Sequence, residues 1–335
     1  MVSLLKVEEP NSAALVKRER VGGEKSGGPG RIRTSDTRPR KPLLYPLSYR
    51  PVGRGTTVNV TVRSVPLQRS GMVSKKLIAG GQYSVVHYAT PVMYAVISDI
   101  HGNLEALEAV LQDVPDGIER IYCLGDVIGY GANPNECCDL VRTSGMPVIS
   151  GNHDLAVTDL STDLLWFNPV AAAAVEWTRE QLTEENARFL RTLPRTMQKE
   201  GALFVHGSVR DPDEYIVNAT VARENLAILK KEYPDVQVCF FGHTHVKAVA
   251  PSPDGPVSSS RTLDLGSGGP YLVNPGSVGQ PRDGDTFASY VTVEDTTDGT
   301  RVAYHFVEYD VAKAQAKIRA AGLPAILADR LAYGR

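Results

Sequence analysis

The sequence predicts an α/β fold built on a largely parallel sheet, and three observations carry that reading. From Met93 onward, short apolar runs alternate with amphipathic segments of helical length, the pattern of repeated β-loop-α units. Several of these runs end abruptly in Gly, Asp, Asn or His, which puts polar side chains at the carboxyl ends of strands, where open α/β sheets bind ligands. The histidines concentrate at those ends: of seven in the chain, His101, His153, His206, His243 and His245 stand there, and only His87 and His305 fall elsewhere.

The elements follow in order. The run 94–97 ends at Ser98-Asp99-Ile100-His101-Gly102-Asn103, and Asn103 is the expected N-cap of a helix with Leu104, Leu107, Val110 and Leu111 on one face. A second strand over 118–124 ends at Gly125-Asp126. Asn133-Pro134-Asn135-Glu136 then opens another helix, with a capping residue, proline at the first position and glutamate at the third. A third strand over 147–149 delivers Ser150-Gly151-Asn152-His153-Asp154. Residues 155–200 break the alternation with two helices, over 169–182 and 183–193, and Trp166, Phe167 and Trp177 as apolar anchors. Such an insertion is placed to cap a site. Strands resume at 202–205, ending in His206-Gly207-Ser208, and at 236–241, ending in Gly242-His243-Thr244-His245, with a helix over 221–231 between them. Shorter strands follow at 247–250, 271–273, 288–294 and 301–307. A Gly-rich loop over 274–282 lies among them, and an amphipathic segment over 312–320 and a helical piece to Leu331 come last.

Charge is unevenly distributed in these 335 residues. Residues 1–92 carry 16 Lys/Arg against 5 Asp/Glu and the remainder 20 against 33, so a basic segment of net +11 precedes an acidic body of net −13. Runs such as Gly27-Gly28-Pro29-Gly30 make 1–92 read as a disordered tail, apart from a single domain over 93–335. A basic interaction tail, an Arg-rich transit peptide or sequence outside the natural protein would each explain it. The stretch 30–46 resembles the conceptual translation produced when a reading frame is extended through a neighbouring tRNA gene, which favours the third and makes Met93 the expected start.

An acidic body disfavours duplex nucleic acid, whose affinity rests on Lys and Arg meeting phosphates, and it suits a site that carries divalent cations. Cys123, Cys137, Cys138 and Cys239 form no CxxC pair; Cys123 and Cys239 read as small buried hydrophobes, and a cytoplasmic setting is expected. No apolar run approaches the roughly 18 residues of a bilayer-spanning helix, so no membrane partner is expected.

The strand-end groups are Asp99 and His101, Asp126, Asn152 and His153, His206, and His243 and His245. Imidazole, carboxylate and amide oxygen without thiolate suit Mn²⁺, Fe²⁺, Zn²⁺, Co²⁺ or Ni²⁺. Seven or eight ligands are too many for one ion with open positions. They suit two ions about 3.5–4 Å apart that share a carboxylate.

As an ordered set, Asp99-x-His101, Gly125-Asp126, Gly151-Asn152-His153-Asp154, His206 and Gly242-His243-x-His245 resemble the motifs of the calcineurin-like metallophosphoesterases, over about 93–310. The form of 125–131 and the 274–282 loop are similar to a small prokaryotic branch that includes phosphodiesterases and a diadenosine tetraphosphate hydrolase. The resemblance implies a four-layer α/β/β/α sandwich of two mixed sheets with a dinuclear metal site at the strand ends. It implies that Asp99, His101, Asp126 and His245 hold one ion and Asp126, Asn152, His206 and His243 the other, with Asp126 bridging and Mn²⁺ the first choice of metal. His153 is then the general acid, oriented by Asp154, and Arg210 and Arg282 are the candidate phosphate-binding arginines. The implied reaction is hydrolysis of a small phosphodiester, phosphomonoester or dinucleoside polyphosphate by a metal-bridged hydroxide. A non-catalytic scaffold of the same fold and a nuclease acting on short oligonucleotides are the alternatives. The intact ligand set argues against the first and the acidic body against the second.

Overall fold

The computed structural model describes residues 93–251 and 262–335, together with four short strands ahead of them. Those are β1 (Leu47–Ser48) with β2 (Asn59–Val60) and β3 (Met72–Ile78) with β4 (Gln82–Tyr88), each pair antiparallel. The disorder expected over the rest of 1–92 lies outside the described residues.

From Met93 the chain runs β5 (Met93–Ile97), α1 (Leu104–Asp113), β6 (Arg120–Cys123), α2 (Pro134–Ser144), α3 (Asn152–Thr158), α4 (Pro169–Gln181) and α5 (Glu184–Arg191). It continues through β7 (Thr196–Lys199), β8 (Ala202–Val205), α6 (Ala219–Glu232), β9 (Val238–Phe240), β10 (Ala248–Ala250), β11 (Thr262–Gly266) and β12 (Tyr271–Asn274). The hairpin β13 (Ala288–Thr296) and β14 (Gly299–Val307) leads into α7 (Val311–Ala320) and α8 (Ala325–Asp329).

The strands form two mixed sheets, ordered β10-β12-β9-β8-β7 and β11-β14-β13-β5-β6. Pairing is parallel where a helix separates consecutive strands, as in β5–α1–β6 and β8–α6–β9. It is antiparallel at β13–β14, where only a short turn intervenes. The largely parallel sheet of the alternation pattern therefore holds for the helix-crossed pairs and for β9–β12, while the remaining pairs are antiparallel.

Alternation along each strand sets the layers. Tyr94 and Val96 of β5 face the second sheet, packing with Tyr122, Phe204, Phe240, Val273 and Val291 between the sheets. Ala95 and Ile97 face the other way, onto Leu107 and Val110 of α1 and Cys137, Cys138 and Val141 of α2. On the far side, Leu203, Val205 and Cys239 meet Ala222 and Leu229 of α6. The result is α/β/β/α, with both sheets covered on both faces, which is why β8 (ALFV) and β9 (VCF) are apolar at every position. Tyr122 and Phe204 stack at 4.5 Å between ring centroids across the inter-sheet core. All four described cysteines are buried free thiols.

Local expectations were met with exceptions. Asn103 caps α1, its side chain accepting from the Ala106 amide at 3.2 Å. Asn133 precedes α2 without a side-chain cap, because its Oδ1 accepts from Lys317 Nζ at 2.9 Å instead. The strand over 147–149 is reduced to one parallel bridge, Cys123 to Val148. Pairing stops there because the Ser150 amide turns to the Pro194 carbonyl at 2.8 Å. Trp166 is no anchor. It ends a 3₁₀ turn, Leu164–Trp166, with 90% of its surface exposed, whereas Phe167 packs against the core as expected, partly buried.

Candidate metal centre

The seven strand-end residues Asp99, His101, Asp126, Asn152, His206, His243 and His245 come together at one edge of the two sheets, from loops after five strand segments. Six of them, all but Asn152, are buried. Five, namely Asp99, His101, Asp126, His243 and His245, have φ between +50° and +64°. Non-glycine residues rarely adopt this left-handed backbone, and it persists only where the surroundings enforce it. Backbone bonds do so here: His101 N–H donates to Asp126 O (2.8 Å) and Asp99 N–H to Gly125 O (3.1 Å). The 274–282 loop braces the same turns, with Val278 N–H on Ser98 O, Gly279 N–H on Asp99 O and Asn274 Nδ2 on Gly242 O, each at 2.9 Å.

Ring nitrogens decide what this cluster is for. His101 Nδ1 lies 3.1 Å from Ile128 O, His245 Nδ1 2.6 Å from Gln280 O and His206 Nδ1 2.8 Å from Leu124 O. A carbonyl can only accept, so each Nδ1 carries the proton and, in the neutral ring, each Nε2 presents a lone pair. Yet His101 Nε2 and His245 Nε2 face each other at 3.1 Å, and His206 Nε2 faces Asn152 Oδ1 at 3.1 Å and Asp126 Oδ2 at 3.3 Å. His243 is reversed: its Nε2 sits 3.1 Å from Asp213 O, leaving Nδ1 free of that bond. The facing lone pairs of His101 and His245, without a donor between them, repel unless a cation lies among them. Imidazoles that donate their outer nitrogen to a carbonyl are the usual arrangement of metal-ligating histidine.

Three sets of potential ligand atoms lie within 4.8 Å of one another: Asp99, His101 and His245; Asp126, His206 and His243; and His101, Asp126 and His153. Asp126 belongs to two of them, its Oδ2 3.5 Å from His101 Nε2 and 3.3 Å from His206 Nε2. The donor set fits two divalent ions with a shared carboxylate.

Residues 93–298 match the calcineurin-like phosphoesterase superfamily domain. The chain belongs to that superfamily. An uncharacterised protein of Methanocaldococcus jannaschii is 39% identical over 250 residues, 72% of this chain and 98% of the relative. A metallophosphoesterase from Sphaerobacter thermophilus, known by crystal structure, is 42% identical with a TM-score of 0.61, covering 73% of this chain and all of that one. A hypothetical protein from Pyrococcus horikoshii, also solved, is 25% identical with a TM-score of 0.59 over 72% of this chain and 98% of that one. Calcineurin-like phosphoesterases depend on divalent metals, in keeping with the ligand clusters here.

Charge at this phosphoesterase centre is finely opposed. Burial pushes the His101 and His245 imidazoles well down, His243 to about 3 and His153 to about 4. His206 is lowered by burial but raised further by Asp126, to about 9. Burial lifts Asp99 to about 6 and, reinforced by Asp126, Asp154 to about 7. Asp126 stays well below the usual carboxylate range despite its burial, held there by His206 and His153.

The remaining expected residues divide. His153 lies in the cluster, its amide donating to Asp126 Oδ1 at 2.8 Å and its ring 5.3 Å from that of Phe167, in the helical insertion. Asp154 does not orient it. Its two oxygens accept from the Ile128 amide (3.2 Å) and the Gly151 amide (3.0 Å), and His153 Nδ1 has no partner among the described residues. Arg210 is spent elsewhere, bound to Glu214 and, at 2.8 Å, to Glu224. Arg282 is well placed, its guanidinium 5.6 Å from the Tyr130 ring centre and its amide donating to the carbonyl of the ligand residue His245 (3.2 Å).

Sequence reasoning missed four neighbours. Tyr130 lies 4.4 Å from the His153 ring and 4.6 Å from that of His101, and Tyr215 lies 3.8 Å from that of His243. Gln280 and Arg330 join Arg282 in a hydrogen-bonded group. Tyr130, with its φ of +60° inside Gly129-Tyr130-Gly131, carried a signal; Arg330 carried none.

Proposed function

We propose that this protein is a divalent-metal-dependent hydrolase of phosphoric esters acting on a small phosphorylated substrate. The observation that carries the reading is Asp126, shared between two ligand clusters, beside the lone pairs of His101 and His245 that converge without a donor. Asp99, His101, Asp126 and His245 would hold one ion, and Asp126, Asn152, His206 and His243 the other. When bound, such a pair activates water and neutralises the phosphoryl oxygens of an in-line displacement. Mn²⁺ is the first ion to test.

His153 is the proton donor in this reading. Its ring is buried and neutral near pH 7, but a phosphate ester brings negative charge beside it and offsets the cost of burying an imidazolium. Protonation thus accompanies substrate binding, and the proton passes to the departing oxygen. Phe167, packed on His153, keeps bulk water from that side. Arg282 draws the phosphoryl group toward the ligand loops. The buried free thiols favour a reducing, cytoplasmic setting.

The test uses the full chain, stripped with chelator and reloaded with Mn²⁺, against bis-p-nitrophenyl phosphate, p-nitrophenyl phosphate and a dinucleoside polyphosphate. Hydrolysis of at least one, lost with chelator and restored with metal, is expected. Inactivity on all three at two bound ions per chain would overturn the proposal.

A further inference from the structure

Two guanidinium groups beside the metal centre share a single acceptor. Arg282 Nη2 and Arg330 Nη1 both donate to Gln280 Oε1, at 2.8 and 3.0 Å. Arg330 Nε also donates to a carboxylate oxygen of Arg335, the last residue of this sequence. Among the described residues no Asp or Glu side chain forms an ion pair with either arginine, whereas Arg142, Arg210 and Arg301 each hold two carboxylates. Two like charges gathered on one neutral amide oxygen repel, which favours an oxyanion between them. Burial and Arg282 also depress the Arg330 guanidinium from its usual value.

The pair is fixed rather than loosely exposed. Arg330 follows α8, whose Leu327 and Ala328, with the adjoining Leu331, pack on Tyr130 and on Ala171 and Ala174 of α4. Tyr130 in turn lies against Arg282 and against the rings of His101 and His153. Arg282 borders the ligands through its bond to His245, and Arg330 joins it through Gln280. In the phosphoesterase reading the metals would hold the phosphoryl group undergoing cleavage, and Arg282, bonded to the ligand residue His245, would be placed to assist it. A second guanidinium held on the same glutamine adds a point of contact that a substrate with one phosphate would not use.

We propose that Arg330, acting with Arg282, binds a second phosphoryl group of the substrate, one that is not cleaved, and so selects compounds with two or more phosphoryl groups over simple phosphate esters. This rests on the phosphoesterase reading above and names the substrate class of that site. Guanidinium forks suit phosphate oxygens in both geometry and charge. Arg330 is thus a specificity residue and takes no part in bond breaking.

The experiment compares the full-length, Mn²⁺-loaded protein with Arg330→Ala and Arg330→Lys. For a dinucleoside polyphosphate, Arg330→Ala should raise KM about 10–100-fold, the usual worth of one or two charge-assisted hydrogen bonds, with kcat nearly unchanged. For bis-p-nitrophenyl phosphate both constants should stay within about twofold of wild type. Arg330→Lys should recover part of the loss. Calorimetry with methylenebisphosphonate, which carries two phosphoryl groups and is not hydrolysed, supplies a readout independent of turnover. Its affinity should fall at least about tenfold in Arg330→Ala while that of inorganic phosphate holds. Should the alanine variant fail to fold, Arg330→Gln keeps a donor toward Gln280 and takes its place. Equal bisphosphonate affinity in wild type and variant, or a parallel loss on both substrates, overturns the proposal. A bisphosphonate effect in a protein that hydrolyses no ester would leave the arginine site standing and remove the hydrolase reading instead.

Discussion

Gly151 lies so close to Asp126 that a Cβ there would overlap both the Asp126 carboxylate oxygen Oδ1 and its main-chain nitrogen. Its φ of −87° is open to any residue, so space alone demands the glycine. Gly151→Ala should therefore displace Asp126, lowering metal content below two ions and costing about 1–3 kcal/mol of stability, the usual penalty of overpacking. Gly145→Ala is the control. There φ is +69° and a Cβ meets nothing within 4 Å, so it should cost backbone strain but leave metal content intact. Elemental analysis and urea denaturation read both effects, and two ions retained in Gly151→Ala would refute the steric account.

Asp126→Asn should release both ions and Asp99→Asn only one. Asp126 Oδ2 reaches toward His101 and His206 alike, whereas Asp99 Oδ1 approaches His245 (3.4 Å) and His101 (3.9 Å) in one cluster alone. Removing a shared anion leaves two divalent charges facing each other with less neutralisation. Metal analysis after dialysis distinguishes the two variants, and a full complement in Asp126→Asn would exclude the bridging role.

His153→Ala should be selective among leaving groups. A nitrophenolate barely needs a proton and an alkyl alkoxide does, so the variant should lose about 10²–10⁴ in rate on an alkyl ester and clearly less on the p-nitrophenyl analogue. Metal content should stay at two. Equal losses on both esters, with chemistry rate-limiting, would reassign His153 to stabilising the phosphoryl oxygens.

In chelator the protein should lose stability as pH falls from about 7 to 5. Folded His153 and His243 take up protons only at about 4 and 3, against an ordinary 6.5, and His101 and His245 are likewise depressed. Their contribution is present above 6.5 and lost as pH falls toward the folded values. Asp99 and Asp154 oppose this. Raised to about 6 and 7 from an ordinary 3.8, they gain protons first in the folded state and add stability on acidification. His206, at about 9, changes nothing below 6.5. Four depressed imidazoles outnumber two raised carboxylates, so the urea midpoint should drop between pH 7 and 5. A rising midpoint would mean that the carboxylates dominate.

The ligand-bearing turns were legible because each follows a short apolar strand, and strand ends leave a local mark: Gly125-Asp126 and Gly242-His243 announce themselves. What failed depended on contacts distant in sequence. Arg210 looked available until the fold brought Glu224 beside it, and Asp154 looked like an orienting carboxylate until the amide of Ile128, 26 residues earlier, claimed it. Arg330 lies 48 residues beyond Arg282, and no spacing rule links them; only packing of α8 on Tyr130 does. Strands β7 and β11 went unforeseen because their alternating or exposed positions lack a continuous apolar run.

The reversed ring of His243 sets a different reach for one of the four imidazoles. An asparagine amide extends about as far from the backbone as Nδ1, and a glutamine amide about as far as Nε2. Since His101, His206 and His245 turn Nε2 inward and His243 turns Nδ1, shortening the side chain should be tolerated at 243 and lengthening at the other three. His243→Asn should keep more bound Mn²⁺ than His243→Gln, and the preference should invert at His206. The bond from His243 Nε2 to Asp213 O ties the ring to the loop that precedes Tyr215, so the asparagine variant would bind metal while setting that loop free. Coordination and loop anchoring, joined in a single imidazole, would then come apart.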